Sequence, residues 1–174
     1  VLATHAQTDF EVICYSNTAR RDSMSDRLRN LGATWHNILP LSDEATAELI
    51  RSDRVDVLVD LSGHTGGNRL TVFARRPAPV QITYLGYPDT TGMTAIDYRL
   101  SDKWADPQGL ADSLCSEELV RLEKGFLCYS PPTEAPEVGL LPGTGTGYVP
   151  FGSFNNLAKL SPQTLGLWAK VLLA

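Results

Sequence analysis

Three short stretches combine residues able to hold an anionic or sugar ligand. The first, Asp60-Leu-Ser-Gly-His-Thr-Gly-Gly-Asn-Arg69, sets Gly63, Gly66 and Gly67 around a histidine. Glycines let backbone amides approach a phosphate or a sugar hydroxyl closely, and His64 can give or take a proton there. The spacing is neither a Walker A loop nor the dinucleotide Gly-x-Gly-x-x-Gly fingerprint, and a tight turn carrying an incidental histidine fits it equally well. The second stretch is Leu85-Gly-Tyr-Pro-Asp-Thr-Thr-Gly92. Gly86 and Pro88 restrict its backbone, so main-chain groups and the Tyr87 ring can line a sugar pocket; a plain turn is the alternative. The third, Ser153-Phe-Asn-Asn-Leu-Ala-Lys159, ends on a lysine just before a strong helix start. Lys159, with Asn155 and Asn156 beside it, can meet a diphosphate as a point charge while helix amides add donors, or it can be an ordinary surface lysine.

The elements around these stretches alternate. Phe10–Tyr15 reads as a strand, and the segment from Arg20 to Leu31 as a helix with Met24, Leu28 and Leu31 on one face, closed by a left-handed Gly32. An extended run over Ala33–Leu39 precedes a helix from Asp43 to about Arg51, with Ser42 as its N-cap. Val55–Leu61 is nearly continuous in apolar character, as expected of a central parallel strand covered on both faces. A helix from about Asn68 to Arg75 and a strand over Val80–Leu85 follow, so the two glycine-bearing loops each sit just past a strand. Strand and helix alternating at short spacing predict an α/β fold with a Rossmann-like doubly wound sheet, which binds ligands at the carboxyl ends of its strands. Beyond Leu100 the pattern weakens to a short helix near Pro107–Ser113 and apolar stretches at 119–122 and 126–129.

Residues 131–147 hold four prolines and four glycines and read as a linker between a first domain, residues 1–130, and a second unit, residues 148–174. That unit should open with a strand over Tyr148–Phe154, followed by a helix with Ser161 as N-cap, Pro162 in its first turn and a stripe of Leu165, Trp168, Ala169 and Leu172.

Composition excludes several classes of protein. With 43% hydrophobic and 20% charged residues, the chain has the balance of a folded domain. A net charge of −5 repels phosphate backbones and anionic lipid, which argues against nucleic acid as a partner. No apolar run reaches membrane-helix length, so a membrane partner is not expected either; nothing signals export, and a cytoplasmic location is the expectation. Cys14, Cys115 and Cys128 are odd in number and widely spaced, and read as structural thiols. His5 and His36 lie outside the loops and read as structural, and Arg75-Arg76 as solvated charges near a helix end.

Four segments in order, Asp60 to Leu70, Phe73-Ala-Arg-Arg-Pro-Ala-Pro-Val-Gln81, Leu85-Gly-Tyr-Pro88 and Gly152-Ser-Phe-Asn-Asn-Leu-Ala-Lys159, resemble the bacterial protein O-linked N-acetylglucosamine transferases. The resemblance implies part of a glycosyltransferase B arrangement: most of the N-terminal half, then the first strand and helix of the C-terminal half, with UDP-N-acetylglucosamine bound between halves. It implies an inverting, metal-independent transfer of N-acetylglucosamine to Ser or Thr hydroxyls of a protein or peptide acceptor, with no cofactor. Lys159 would stabilise the departing UDP, and Asn155 and Asn156 would sit beside the nucleotide. Leu85, Gly86, Tyr87 and Pro88 would border the sugar, while His64 and Arg69 would line the sugar and acceptor side, His64 standing where animal members have tyrosine. In that family tetratricopeptide repeats precede the catalytic region. Its first strand with a following histidine loop is expected upstream of Val1, and its uracil- and ribose-binding elements downstream of Ala174, so the chain alone is expected to be inactive.

Two alternatives share the fold. One is another nucleotide-sugar enzyme, an epimerase or a small-molecule glycosyltransferase. The other is a non-catalytic scaffold.

Overall fold

The computed structural model describes residues 2–4, 9–132 and 134–173. The chain divides into two compact units, Val1–Tyr129 and Ser130–Ala174.

In the first unit every strand pair is parallel. Strands β1 (Ile13–Ser16) and β2 (Thr34–Asn37) pair with each other, and β3 (Val57–Asp60), β4 (Val80–Thr83), β5 (Tyr98–Asp102) and β6 (Glu118–Leu122) form a four-stranded sheet in chain order. Among the described residues β1, β2, β3 and β6 each have one edge that no strand pairs. Helix α1 (Ser23–Arg29) starts where the Asp22 carboxylate accepts the Ser25 amide at 2.8 Å, and Gly32 beyond its end has φ 83° as anticipated. Met24 nevertheless stays exposed on it. Helix α2 (Asp43–Ser52) is capped by Ser42, whose hydroxyl accepts from the Ala45 amide at 3.2 Å. Its acidic first turn and Arg51 in the last suit the helix dipole.

The core forms where α2 and the single-turn α3 (Leu70–Phe73) cover one face of the sheet. Ala47 and Ile50 of α2 meet Leu58 of β3 and Leu70, Val72 and Phe73 of α3. Burying each of the larger side chains stabilises the unit by about 1.5–3 kcal/mol. Helix α3 is shorter than expected because Arg76 turns left-handed, φ 42°, ahead of Pro77. Arg75 and Arg76 are engaged rather than simply solvated: Arg75 pairs with Glu44, and Arg76 reaches Asp97 at 2.9 Å.

Three further local expectations are corrected. Strand β3 is covered on one side only: Leu58 and Asp60 are buried while Val57 and Val59 remain 48% and 42% exposed, since the core-forming helices pack on the other face. Residues 107–113 make successive turns instead of a helix, because Gly109 sits at φ 82° with its amide held by the Asp112 carboxylate at 2.6 Å. In the second unit Tyr148–Phe154 forms no strand, there being no neighbouring strand among the described residues of that unit to take its backbone hydrogen bonds.

The helix of the second unit, α4 (Pro162–Leu172), begins as read: the Ser161 hydroxyl accepts from the Thr164 amide at 3.1 Å and Pro162 occupies the first position. An apolar groove of about 600 Å³ runs between residues 151–155 and α4, lined by Phe151, Phe154, Trp168, Val171 and Leu172. No described helix is long and apolar enough to cross a membrane.

Candidate functional site

Strand β3 ends on Asp60, which is 4% exposed and organises the loop that follows. One carboxylate oxygen accepts the Ser62 amide at 3.0 Å; the other takes the Gly63 amide at 2.9 Å and the Thr83 hydroxyl at 2.8 Å. The carboxylate thus turns the chain sharply and ties the end of β3 to the end of β4, where Asp60 and Thr83 are register partners. Gly63 (φ 51°) and Gly67 (φ 74°) supply the left-handed steps of the loop. His64 stands exposed on it, with Nε2 2.9 Å from the Thr91 carbonyl oxygen.

After β4 the chain makes a three-residue turn, the Gly86 amide donating to the Tyr84 carbonyl at 2.9 Å across Leu85, whose φ is 70°. This rare form of the γ-turn is strained by about 1–3 kcal/mol for a residue with a β-carbon. Strain of this size persists only where surrounding contacts impose it, and here several do. A β-carbon at Gly86 would collide with the Leu61 backbone, and one at Gly63 would lie 2.3 Å from Cβ of Tyr87. The Tyr87 ring meets His64 edge-on, centroids 5.4 Å apart. Arg99 of β5 donates to the Pro88 carbonyl at 2.9 Å and is held by Asp106 at 2.9 Å. Glu117, before β6, accepts the Thr91 amide at 2.7 Å, the Thr91 hydroxyl, and the Thr90 hydroxyl at 2.6 Å. Burial pushes the Glu117 carboxyl upward, but the hydrogen bonds from Thr90 and Thr91 outweigh it and hold it below the ordinary glutamate value.

His64, Leu85, Gly86, Tyr87 and Pro88 therefore share one exposed surface at the carboxyl ends of adjacent parallel strands, where α/β sheets bind ligands. Arg69 is turned inward. Its guanidinium pairs with Asp43 at 2.8 Å and donates to the Ile38 and Leu41 carbonyls at 2.6 and 2.8 Å, clamping the β2–α2 turn. His36 is likewise a packing residue, stacked on Tyr15 and 3.2 Å from Asp53. His5 lies outside the described residues.

In the second unit, Asn156 caps a single 3₁₀ turn, Leu157–Lys159, its side chain accepting the Ala158 amide at 3.0 Å. Asn155 leans on the Ser153 hydroxyl. Lys159 is exposed two residues before the Ser161 cap of α4, and among the described residues no ion pair engages it. A free ammonium beside a helix start is a ready partner for an anion. Cys14, Cys115 and Cys128 are free thiols.

Residues 1–130 match the profile of Glycosyl transferase family 41. The chain belongs to that family. A protein of Solanum lycopersicum named as a probable UDP-N-acetylglucosamine–peptide N-acetylglucosaminyltransferase, SPINDLY, is 45% identical over 177 residues, which take in 99% of this chain and 19% of that protein. A Caenorhabditis elegans UDP-N-acetylglucosamine–peptide N-acetylglucosaminyltransferase is 33% identical over 70% of this chain and 11% of its own length. Among solved structures, a mutant of the Thermobaculum terrenum O-GlcNAc transferase superposes with a TM-score of 0.89 at 46% identity, covering 99% of this chain and 32% of the other. The chain thus has the α/β fold anticipated, and it spans about a fifth of the SPINDLY relative.

The loops at 60–69 and 85–92 are legible in the sequence; their supports are not. Arg99 and Glu117 lie in no motif, and Glu117 lies 26 residues from the threonine amide it holds.

Proposed function

We propose that this chain is part of an inverting glycosyltransferase that moves N-acetylglucosamine from UDP-N-acetylglucosamine to serine and threonine hydroxyls of proteins. Family membership and the names of the relatives support the chemistry. The observation that carries the reading is the pair of interlocked loops, with His64, Gly86 and Tyr87 on one exposed surface at the ends of β3 and β4.

In this reading Leu85, Gly86, Tyr87 and Pro88 form the wall against the sugar, and Asn155 and Asn156 lie beside the nucleotide. The acceptor oxygen attacks the anomeric carbon, the bond to the diphosphate breaks, and UDP departs with the electron pair while the hydroxyl proton passes to solvent water. Lys159 stabilises the charge that grows on the diphosphate, the task a metal ion performs in other transferases. No cofactor or metal is needed. Arg69 acts at a remove, clamping the β2–α2 turn through Asp43, Ile38 and Leu41. The setting is cytoplasmic, with a nucleotide sugar and a protein acceptor as partners and neither nucleic acid nor membrane. In this proposal the 174 residues by themselves do not turn over UDP-N-acetylglucosamine.

The test is transfer of labelled sugar from UDP-N-acetylglucosamine by the full-length polypeptide to serine- and threonine-bearing peptides and to a protein extract. Hydroxyl-linked label is expected. No label in any acceptor, together with no UDP binding in calorimetry, would overturn the reading in favour of a scaffold.

A further inference from the structure

His64 Nε2 lies 2.9 Å from the carbonyl oxygen of Thr91. A carbonyl only accepts, so the nitrogen facing it must carry the proton. A neutral imidazole has one N–H, and Nδ1 is then left with a free lone pair. Thr91 is not a casual neighbour. It is 4% exposed, and its amide and hydroxyl both end on Oε1 of Glu117, while the Thr90 hydroxyl ends on Oε2. Glu117 is itself 4% exposed. The ring has a second restraint in Tyr87, which meets it at 78°.

We propose that Glu117, acting through Thr91, holds His64 with its proton on Nε2 and so makes Nδ1 an acceptor for a hydroxyl group of the substrate. A lone pair attracts a hydroxyl donor and repels phosphate oxygen. The group His64 meets is therefore a sugar hydroxyl or the acceptor Ser or Thr hydroxyl, and not the diphosphate. Glu117 is a positioning residue: it touches no substrate, and it sets the histidine by the logic through which outer carboxylates orient histidine ligands. The identity of the hydroxyl rests on the proposed transfer reaction; the tautomer does not.

The experiment uses the full-length polypeptide with ring-labelled ¹⁵N histidine, under conditions where the imidazole is neutral. The expected spectrum shows pyrrole-type Nε2 and pyridine-type Nδ1 for His64, with an Nε2 proton protected from water exchange. Glu117→Ala should abolish that protection and lower kcat per folded molecule about 100-fold, the scale of a small misplacement of a catalytic group. UDP affinity in calorimetry should stay unchanged. Glu117→Gln retains an acceptor oxygen for the Thr91 amide and should restore both the protected proton and turnover. A proton on Nδ1 in the wild type overturns the proposal, and so does a Glu117→Ala variant that keeps the protected proton or turns over normally. The wild-type spectrum is decisive for the tautomer even if Glu117→Ala does not fold. Absence of any sugar transfer would sink the functional reading and leave the ring spectra free to decide this one.

Discussion

A β-carbon added to Gly86 would stand 1.9 Å from the carbonyl oxygen of Leu61 and 2.5 Å from its carbonyl carbon, so the loop after β4 lies directly on the backbone of the loop after β3. Neither neighbour is the flexible end of a side chain, and the overlap cannot be relieved by a rotamer change. Gly86→Ala should cost about 1–3 kcal/mol, the usual range for overpacking, read as a lower urea midpoint at unchanged slope. Gly63→Ala should cost as much, since it adds a left-handed backbone to a clash with Tyr87. Combined with Tyr87→Gly it should cost less than the sum of the two changes, with a coupling of about 0.5–3 kcal/mol. Strict additivity would mean that the loops do not interlock.

Lys159→Ala in the full-length enzyme should lower kcat by about 10²–10³-fold, the worth of one transition-state donor, with little change in Tm because the side chain is exposed. An unchanged kcat would remove Lys159 from the mechanism.

If Lys159 supplies the positive charge at the diphosphate, a divalent ion is superfluous. Turnover by the full-length enzyme should survive exhaustive chelation, and a rate that falls on chelation and returns with added magnesium would contradict the assignment.

Arg69→Ala should act on stability rather than on substrate affinity. Three hydrogen bonds from one guanidinium fork are lost, to Asp43, Ile38 and Leu41, for a cost of about 2 kcal/mol. Arg69→Lys should not restore it, because an ammonium cannot reproduce the fork. A large rise in KM at unchanged Tm would place Arg69 on the ligand instead.

Glu117 predicts an acid-sensitive loop. Its folded carboxyl titrates below the ordinary value of about 4.3, so the stability it contributes is complete above that pH and is lost as pH falls through the lower native value. Hydrogen exchange at the Thr91 amide, corrected for intrinsic rate, should accelerate over that interval, and Glu117→Gln should abolish the acceleration.

How much of this could be read in advance depended on the range of the interaction. The Ser42 and Ser161 caps were legible because a cap joins residues three apart, and the two loops because glycine clusters follow apolar runs. The one-sided burial of β3 was not, since periodicity cannot say whether a helix is present to cover Val57 and Val59. Tyr148–Phe154 has strand composition but no strand, because composition supplies no partner. The inward turn of Arg69 and the hold of Glu117 on Thr91 join residues 26 or more apart and exist only after folding.

The unpaired edges of β1 and β3 bear on how the polypeptide behaves in a tube. A row of backbone donors and acceptors that no described strand pairs, beside the half-exposed Val57 and Val59, is a template for any extended segment that diffuses past. Produced alone, this stretch should self-associate by sheet extension as its concentration rises. Light scattering would report that stickiness before any assay of sugar transfer could.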